Sequence, residues 1–117
     1  MGKLTTHVLD TSAGIGAAGV RIEVHRVAAS GYELLAAQVT DATGRCGTPL
    51  LEGAQFQLGR YLLTFQIGDY FRRRGIALPE PAFVEDAVLR FGVAFPDQHY
   101  HVPLLISPWS YSMYRGG

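Results

Sequence analysis

Alternation of apolar and polar residues with a period of two most limits the folds open to this chain. Residues 20–25 read VRIEVH, so every second side chain is apolar, as in a strand with one buried face. The same pattern predicts strands at 4–10, 34–40, 61–67, 89–93 and 100–106. Short glycine-containing turns separate these segments, among them DATG at 41–44. The chain is therefore predicted to be mainly β, an antiparallel β-sandwich built from hairpins.

One segment breaks the alternation. Residues 69–74 (DYFRRR) contain helix formers and are followed by Gly75, the residue most common just after a helix C-terminus. Pro79 and Pro81 do not allow a helix to continue. We therefore predict a single short helix from Gly68 to Arg74. A length of 117 residues fits one domain, 1–117.

Charge and composition exclude several classes of protein. Ten basic and ten acidic residues give a net charge of zero, whereas nucleic-acid binders usually carry a basic excess. A hydrophobic fraction of 48% is high for a small monomer, which indicates apolar surface shared with a partner chain. Cys46 is the only cysteine and cannot form an intrachain disulfide. With no signal peptide and no apolar run of about 20 residues, we expect a cytoplasmic protein that does not contact a membrane.

Histidines are the first candidates for chemistry. His99 and His101 are two apart, so in a strand they point to the same face, and with His7 they could bind zinc. The spacing alone is weak support for a metal, and we favour no metal site. His25 lies on the polar side of its strand, and we interpret it as a solvated surface residue.

His7 and Arg45 each leave two interpretations open. By alternation His7 shares a face with Thr5 and Leu9, where it is either a hydrogen-bonded structural residue or a general base that titrates near neutral pH. Arg45 follows the DATG turn. It is either solvated or, in a concave site, its planar guanidinium binds a carboxylate, urea or carbonyl oxygen. Cys46 is better explained as a small buried side chain than as a nucleophile.

Three blocks of sequence resemble the 5-hydroxyisourate hydrolases of the transthyretin-related family. They are LTTHVLD at 4–10, TDATGRC at 40–46 and HYHVPLLISP at 99–108, and the last continues to a C-terminal YRGG at 114–117. The family's C-terminal tetrapeptide is Tyr-Arg-Gly-Ser, so Gly117 departs from it. Because Gly117 has no hydroxyl, a role of the serine hydroxyl is not carried over to this chain.

The resemblance implies a transthyretin-like sandwich that assembles as a homotetramer, a dimer of dimers, with active sites in the channel between dimers. It implies hydrolysis of 5-hydroxyisourate, the purine-derived product of urate oxidase, to a ureidoimidazoline carboxylate without a metal or organic cofactor. By position, His7, Arg45 and His101 are the expected catalytic residues. His7 and Arg45, together with Tyr114 and Arg115, are expected to bind the substrate.

The main alternative is a transthyretin-like carrier of small aromatic ligands, which would share the fold, so the fold cannot decide between them. Two histidines and an arginine at the site favour the enzyme, since a carrier has no need of acid–base groups. Which of the two histidines acts as the base is left open by the sequence.

Overall fold

Nine strands and two short helices lie in residues 1–116, the part of the chain that this computed structural model describes. The strands are β1 (Lys3–Asp10), β2 (Ile15–Gly16), β3 (Arg21–Ala28), β4 (Gly31–Val39), β5 (Leu51–Glu52), β6 (Gly59–Phe65), β7 (Ala87–Val93), β8 (Tyr100–Ser107) and β9 (Ser110–Met113). The α-helix, α1, is Ile67–Arg73, and a 3-10 turn covers Gly53–Gln55. All six predicted strands are present. That residues 1–117 form one domain stays a prediction.

The strands form two sheets. The first has the order β2-β1-β8-β9, with β5 also paired to β1, and the second has the order β4-β3-β6-β7. Every pair is antiparallel except β1–β8, which is parallel. The predicted antiparallel β-sandwich is confirmed with that one exception. Local turn signals do not reveal it, because β1 and β8 come from opposite ends of the chain.

The alternating apolar residues form the core between the two sheets. Leu4 and Val8 of β1, and Leu104 and Ile106 of β8, have no exposed surface. Facing them from the second sheet are residues such as Ile22, which is equally buried. Since the side-chain period of a strand is two, the other residues of β1 and β8 lie on the outer face of the first sheet.

Helix α1 begins one residue earlier than predicted. The expected strand 61–67 ends at Phe65, and Ile67 is already the first helical residue. Ile67, Tyr70 and Phe71 are buried, because a helical turn places residues three and four apart on one face. Ile67, which the alternation assigned to the end of a strand, therefore belongs to the buried face of the helix. Alternation alone does not distinguish a strand residue from a helix residue at this position. Neither helix within residues 1–116 has the length and apolar character needed to cross a membrane.

The loop 41–45 lies against β1 on the side opposite β8. The Val8 amide donates to the Gly44 carbonyl at 2.8 Å. Gly44 has φ +84°, and a Cβ there would lie 2.1 Å from the Val8 oxygen, so only glycine fits this approach. An isolated antiparallel bridge then joins His7 to Arg45.

Candidate active site

The parallel register of β1 and β8 brings the N- and C-terminal sequence blocks together. Thr5 pairs with His101 and His7 with Pro103. All four residues are half-buried, whereas the residues that alternate with them are buried. Thr5, His7 and His101 therefore share the outer face of the first sheet.

The turn before Arg45 is held by a carboxylate. Asp41 Oδ1 accepts hydrogen bonds from the Thr43 amide at 2.8 Å and the Thr43 hydroxyl at 2.6 Å, and a longer one from the Arg45 amide at 3.3 Å. These donors, the Thr43 hydroxyl foremost, lower the pKa of the Asp41 carboxyl. The turn is therefore fixed by its own side chains, as in an Asx turn, and it presents Arg45 at its exit.

A cleft of about 290 Å³ opens beside this turn. It is lined by Thr5, Thr6, Arg45, Cys46, Gly47, Thr48, Pro49 and His101. Arg45 is exposed and takes part in none of the ion pairs among residues 1–116. A guanidinium without a protein partner in a cleft can bind a planar oxygen-rich ligand.

The hydrogen bond made by His7 fixes its neutral tautomer. His7 Nε2 lies 2.8 Å from the Thr43 carbonyl oxygen. A carbonyl can only accept, so Nε2 must carry the proton. Nδ1 of the neutral ring is then the nitrogen able to accept a proton. His7 is not among the cleft-lining residues, but it adjoins Arg45 through their backbone bridge.

His101 is held through its other ring nitrogen. Its Nδ1 lies 2.8 Å from Thr5 Oγ1, and the same oxygen lies 3.1 Å from His99 Nε2. Burial lowers the pKa of His101, and His99, His7 and Arg45 lower it further. The ring is therefore kept neutral and able to accept a proton. Sequence reasoning missed Thr5, whose signal was its alternation with His7 on one strand.

The C-terminal tail lies beside His101. The Gly116 amide donates to the His101 carbonyl at 2.6 Å. The Arg115 guanidinium stacks 3.9 Å from the centre of the Tyr100 ring and donates to Gln98 Oε1 at 2.9 Å and to the His99 carbonyl at 3.2 Å. Arg115 is thus engaged within the chain.

Tyr114, predicted to bind substrate, is 59% exposed and is not one of the residues that line the cleft. Gly117, where the sequence departs from the related tetrapeptide, lies outside the described residues. The cleft therefore brings together two of the predicted residues, Arg45 and His101, with His7 adjoining.

Other candidates from the sequence have less support as functional groups. Within residues 1–116, no three or more His, Cys, Asp or Glu side chains are grouped so that they could hold a metal ion. Cys46 is half-buried against the core, and burial raises the pKa of its thiol, which disfavours a reactive thiolate. His25 is less solvated than predicted, since its ring packs edge-on against Tyr32 and its Nδ1 is buried.

Comparison with known proteins covers almost the whole chain. A family model described as the HIUase/Transthyretin family matches residues 4–116. A relative from Pseudomonas aeruginosa named 5-hydroxyisourate hydrolase is 56% identical over 99% of this chain and 92% of its own length.

Solved structures agree with the sequence match. The structure of Klebsiella pneumoniae 5-hydroxyisourate hydrolase superposes with a TM-score of 0.82 at 36% identity and covers 100% of both chains. A structure named (S)-allantoin synthase gives a TM-score of 0.93 at 45% identity, and this chain spans 44% of its length. Sea bream transthyretin in complex with thyroxine gives 0.86 at 32% identity over 97% of this chain and 94% of its own.

Proposed function

The chain belongs to the HIUase/transthyretin family, and we propose that it hydrolyses 5-hydroxyisourate to 2-oxo-4-hydroxy-4-carboxy-5-ureidoimidazoline in urate degradation. Relatives of similar length, from Pseudomonas aeruginosa and Klebsiella pneumoniae, are named as hydrolases of this substrate. One structural observation supports the same reaction: Arg45, without an ion-pair partner in residues 1–116, shares a cleft with His101 and adjoins His7.

Hydrolysis of a cyclic acyl-urea consumes one water. The water oxygen adds to the ring carbonyl carbon and loses a proton to a base, and the carbon–nitrogen bond then breaks as the leaving nitrogen takes up a proton. General acid–base catalysis of such steps contributes about 10²- to 10⁴-fold in rate. The site therefore needs a neutral base and a stabiliser for the negative oxygen of the tetrahedral intermediate.

His7 is our candidate for the base. Its Nε2 proton is committed to the Thr43 carbonyl, so Nδ1 is available to take the proton from water. His101 is the partner, and burial, followed by the neighbouring His99, His7 and Arg45, lowers its pKa and so favours the neutral ring. The opposite assignment of the two roles also conserves every proton.

Arg45 is our candidate for charge stabilisation and substrate anchoring. The tetrahedral intermediate carries negative charge on the former carbonyl oxygen, and the substrate offers paired urea oxygen and nitrogen edges. A guanidinium fork can bind such an edge through two parallel hydrogen bonds. Donors aimed at a developing oxyanion are among the largest contributors to catalysis.

The resemblance also assigns substrate contacts to Tyr114 and Arg115. The Tyr114 side chain is exposed. The Arg115 guanidinium is engaged with Tyr100, Gln98 and the His99 carbonyl. Its contacts support a part in holding the tail against β8 more than a direct contact with the substrate.

We further propose a homotetramer, a dimer of dimers, with active sites in the channel between dimers. Many large apolar side chains are exposed in the single chain, among them Phe83, Trp109 and Leu34 at 72%, 60% and 54%. Surface of this kind is typical of an interface. Analytical ultracentrifugation should give a mass four times 12.8 kDa, and a monomer at micromolar concentration would contradict the proposal. The cytoplasmic location stays a prediction.

The function is tested by following the ultraviolet absorbance of freshly made 5-hydroxyisourate, whose spontaneous decay sets the baseline. We expect the protein to accelerate the decay, and iodothyronine binding measured in parallel tests the carrier alternative, since a transthyretin structure is a complex with thyroxine. Tight hormone binding without turnover would favour the carrier. A Gly117→Ser variant in the same assay measures what the missing hydroxyl contributes.

A further inference from the structure

A single hydroxyl group joins His99 to His101. Thr5 Oγ1 lies 2.8 Å from His101 Nδ1 and 3.1 Å from His99 Nε2. The geometry follows from the parallel register, in which Thr5 pairs with His101. His99 precedes His101 by two residues and so reaches the same side of the sheet.

The single proton of the Thr5 hydroxyl couples the two imidazole rings. A threonine hydroxyl has one proton and two acceptor lone pairs, so it can donate to only one of the two ring nitrogens. The other nitrogen must carry a proton and donate to Oγ1. The tautomers of His99 and His101 are therefore not independent.

This coupling decides which nitrogen of His101 can react. Nδ1 is engaged with Thr5, so Nε2 is the nitrogen left for water or substrate. Neutral His101 can accept a proton at Nε2 only if Nδ1 is protonated. Nδ1 then donates to Thr5, and the Thr5 hydroxyl proton is directed to His99 Nε2.

We propose that His99 is a positioning residue for His101: through the Thr5 hydroxyl it selects the tautomer of His101 with a free Nε2, and it receives the proton that His101 takes up. The proposal rests on the proposed hydrolase function for its catalytic meaning. The coupling of the two tautomers rests on the hydrogen bonds alone.

The proton step leaves every heavy-atom bond unchanged. When His101 Nε2 takes a proton, the ring becomes an imidazolium with a proton on each nitrogen. The Nδ1 proton moves to Thr5 Oγ1 as the original hydroxyl proton moves to His99 Nε2. Thr5 ends as a hydroxyl, the positive charge is on His99, and His101 is neutral with its proton on Nε2. When the leaving nitrogen takes this Nε2 proton, the two relay protons move back, so that Nδ1 is again protonated and His99 is again neutral.

The surroundings favour charge on His99 over charge on His101. His101 is partly buried and faces His7 of β1, Arg45 of the loop and His99, each of which disfavours its protonation. His99 is exposed and is not among the residues that line the cleft with Arg45. A proton on His99 can therefore exchange with solvent.

His99 is also held in place from the main-chain side. Arg115 donates to the His99 carbonyl at 3.2 Å and to Gln98 Oε1 at 2.9 Å, and its guanidinium stacks on Tyr100. A histidine with a fixed backbone loses less entropy on forming the Thr5 hydrogen bond. The C-terminal tail thus supports the geometry that the relay requires.

The first test measures the tautomers directly, without substrate. Long-range nitrogen–proton correlation spectra of the full chain labelled with ¹⁵N report which nitrogen of each histidine is protonated. At neutral pH we expect His101 and His99 both to carry the proton on Nδ1. His101 with an unprotonated Nδ1 would overturn the proposal.

The second test is kinetic. Thr5→Val removes the hydroxyl at nearly constant volume, and we expect kcat to fall about tenfold with KM within about twofold. This is less than the loss of about 10²- to 10⁴-fold expected for removing an acid–base group, because His101 itself remains. Thr5→Ser should restore most of the loss. His99→Leu should resemble Thr5→Val, while His99→Gln, which keeps an acceptor but cannot take a proton, should lie between His99→Leu and the parent.

The pH profile separates positioning from structural damage. We expect Thr5→Val and His99→Leu to shift the acid limb of kcat/KM, whereas a variant that merely loosens the fold lowers activity equally at all pH values. His25→Gln, on the other sheet, is the matched histidine control and should leave the profile unchanged. His99 is exposed, so its variants test the relay if Thr5→Val does not fold.

The outcomes distinguish this proposal from the function on which it rests. If the parent hydrolyses 5-hydroxyisourate and the His99 and Thr5 variants keep its kcat and pH profile, the relay is rejected alone. A His99→Gln variant at the parental rate rejects the proton transfer to His99. If the parent has no hydrolase activity, the proposed function fails, and the spectra still test the coupled tautomers.

Discussion

The two ends of strand β1 carry polar clusters of opposite character. At the C-terminal end, Asp10 is 1% exposed. Its Oδ1 accepts from the amide and hydroxyl of Ser12 at 3.0 and 2.5 Å, and its Oδ2 accepts from the Tyr70 hydroxyl at 2.8 Å. Arg74 lies 3.8 Å away as a counter-ion. Both carboxylate oxygens of Asp10 therefore have partners inside the chain.

Nearer the other end of the strand, Thr5 lines an open cleft, and His7 adjoins that cleft through its backbone bridge to Arg45. Arg45 has no ion-pair partner among the described residues, and both His7 and His101 keep one ring nitrogen outside the hydrogen bonds that fix them. Since buried polar groups are normally satisfied, the closed cluster is explained by stability. Under the proposed function the open one serves to bind substrate, and substitutions at the two ends should separate activity from stability.

The largest effect is expected from the histidines of the open cluster. His7→Ala and His101→Ala should each lower kcat/KM for 5-hydroxyisourate by about 10²- to 10⁴-fold, because each removes a proton-transfer group. Both side chains lie on the outer face, so Tm should change little. If both variants keep near-parental turnover, the mechanism is wrong.

Arg45→Lys should give the next largest loss, about 10²- to 10³-fold in kcat, as for removal of one oxyanion donor. Lysine keeps the positive charge but cannot make two parallel hydrogen bonds. Arg60, which lines a separate groove between β6 and β7, provides the control substitution Arg60→Lys, which should not alter turnover. An unchanged rate for Arg45→Lys would remove the bidentate role.

Tyr70→Phe tests the closed cluster and should have the reverse effect. The substitution removes one of the hydrogen-bond donors to the buried Asp10 carboxylate. This loss should lower the free energy of unfolding by about 1–3 kcal/mol. Burial, followed by the Asp10 bond, raises the pKa of Tyr70 to about 12, so the hydroxyl stays a donor at all working pH values. Urea unfolding measures the loss, and turnover per folded molecule should match the parent. A loss of turnover without loss of stability would contradict the division between the two ends.

The smallest effect concerns pH. The pKa of His101 is lowered below 6.5 in the folded chain, so the ring stays neutral and active to lower pH than a free histidine. Because its pKa is lowered by folding, His101 binds a proton more tightly in the unfolded chain than in the folded one. The free energy of unfolding therefore falls as the pH drops through 6.5 toward the pKa of the folded chain. Above pH 6.5 His101 does not change the stability. His101→Gln should remove that part of the pH dependence of Tm. An identical pH dependence in the variant would show that other groups cause it.

Sequence patterns predicted the elements better than their boundaries. All six expected strands and the helix are present, since alternation and the Gly75 stop are local signals. The helix bounds differ by one residue, because buried Ile67 satisfies a strand pattern and a helical face equally well. The parallel β1–β8 pair was not predicted, because no local signal links strands more than ninety residues apart.

The candidate site was predicted in its residue types and only partly in its arrangement. His7, Arg45 and His101 were found by resemblance, and two of them line the cleft. Thr5 was not singled out, because a threonine in a strand is ordinary until its neighbours are known. The Arg115 side chain contacts Tyr100 and Gln98, and its expected contact with the substrate stays a prediction.

The sequence by itself determined the alternating strands, the short helix, the glycine that admits the Arg45 loop and the family to which the chain belongs, because these depend on residues close together or on whole-length similarity. Only the tertiary structure decided which side chains meet. The parallel register of β1 and β8 places one Thr5 hydroxyl between two histidines, and the single proton of that hydroxyl couples their tautomers. Assigning these protons requires distances between residues that lie far apart in the sequence.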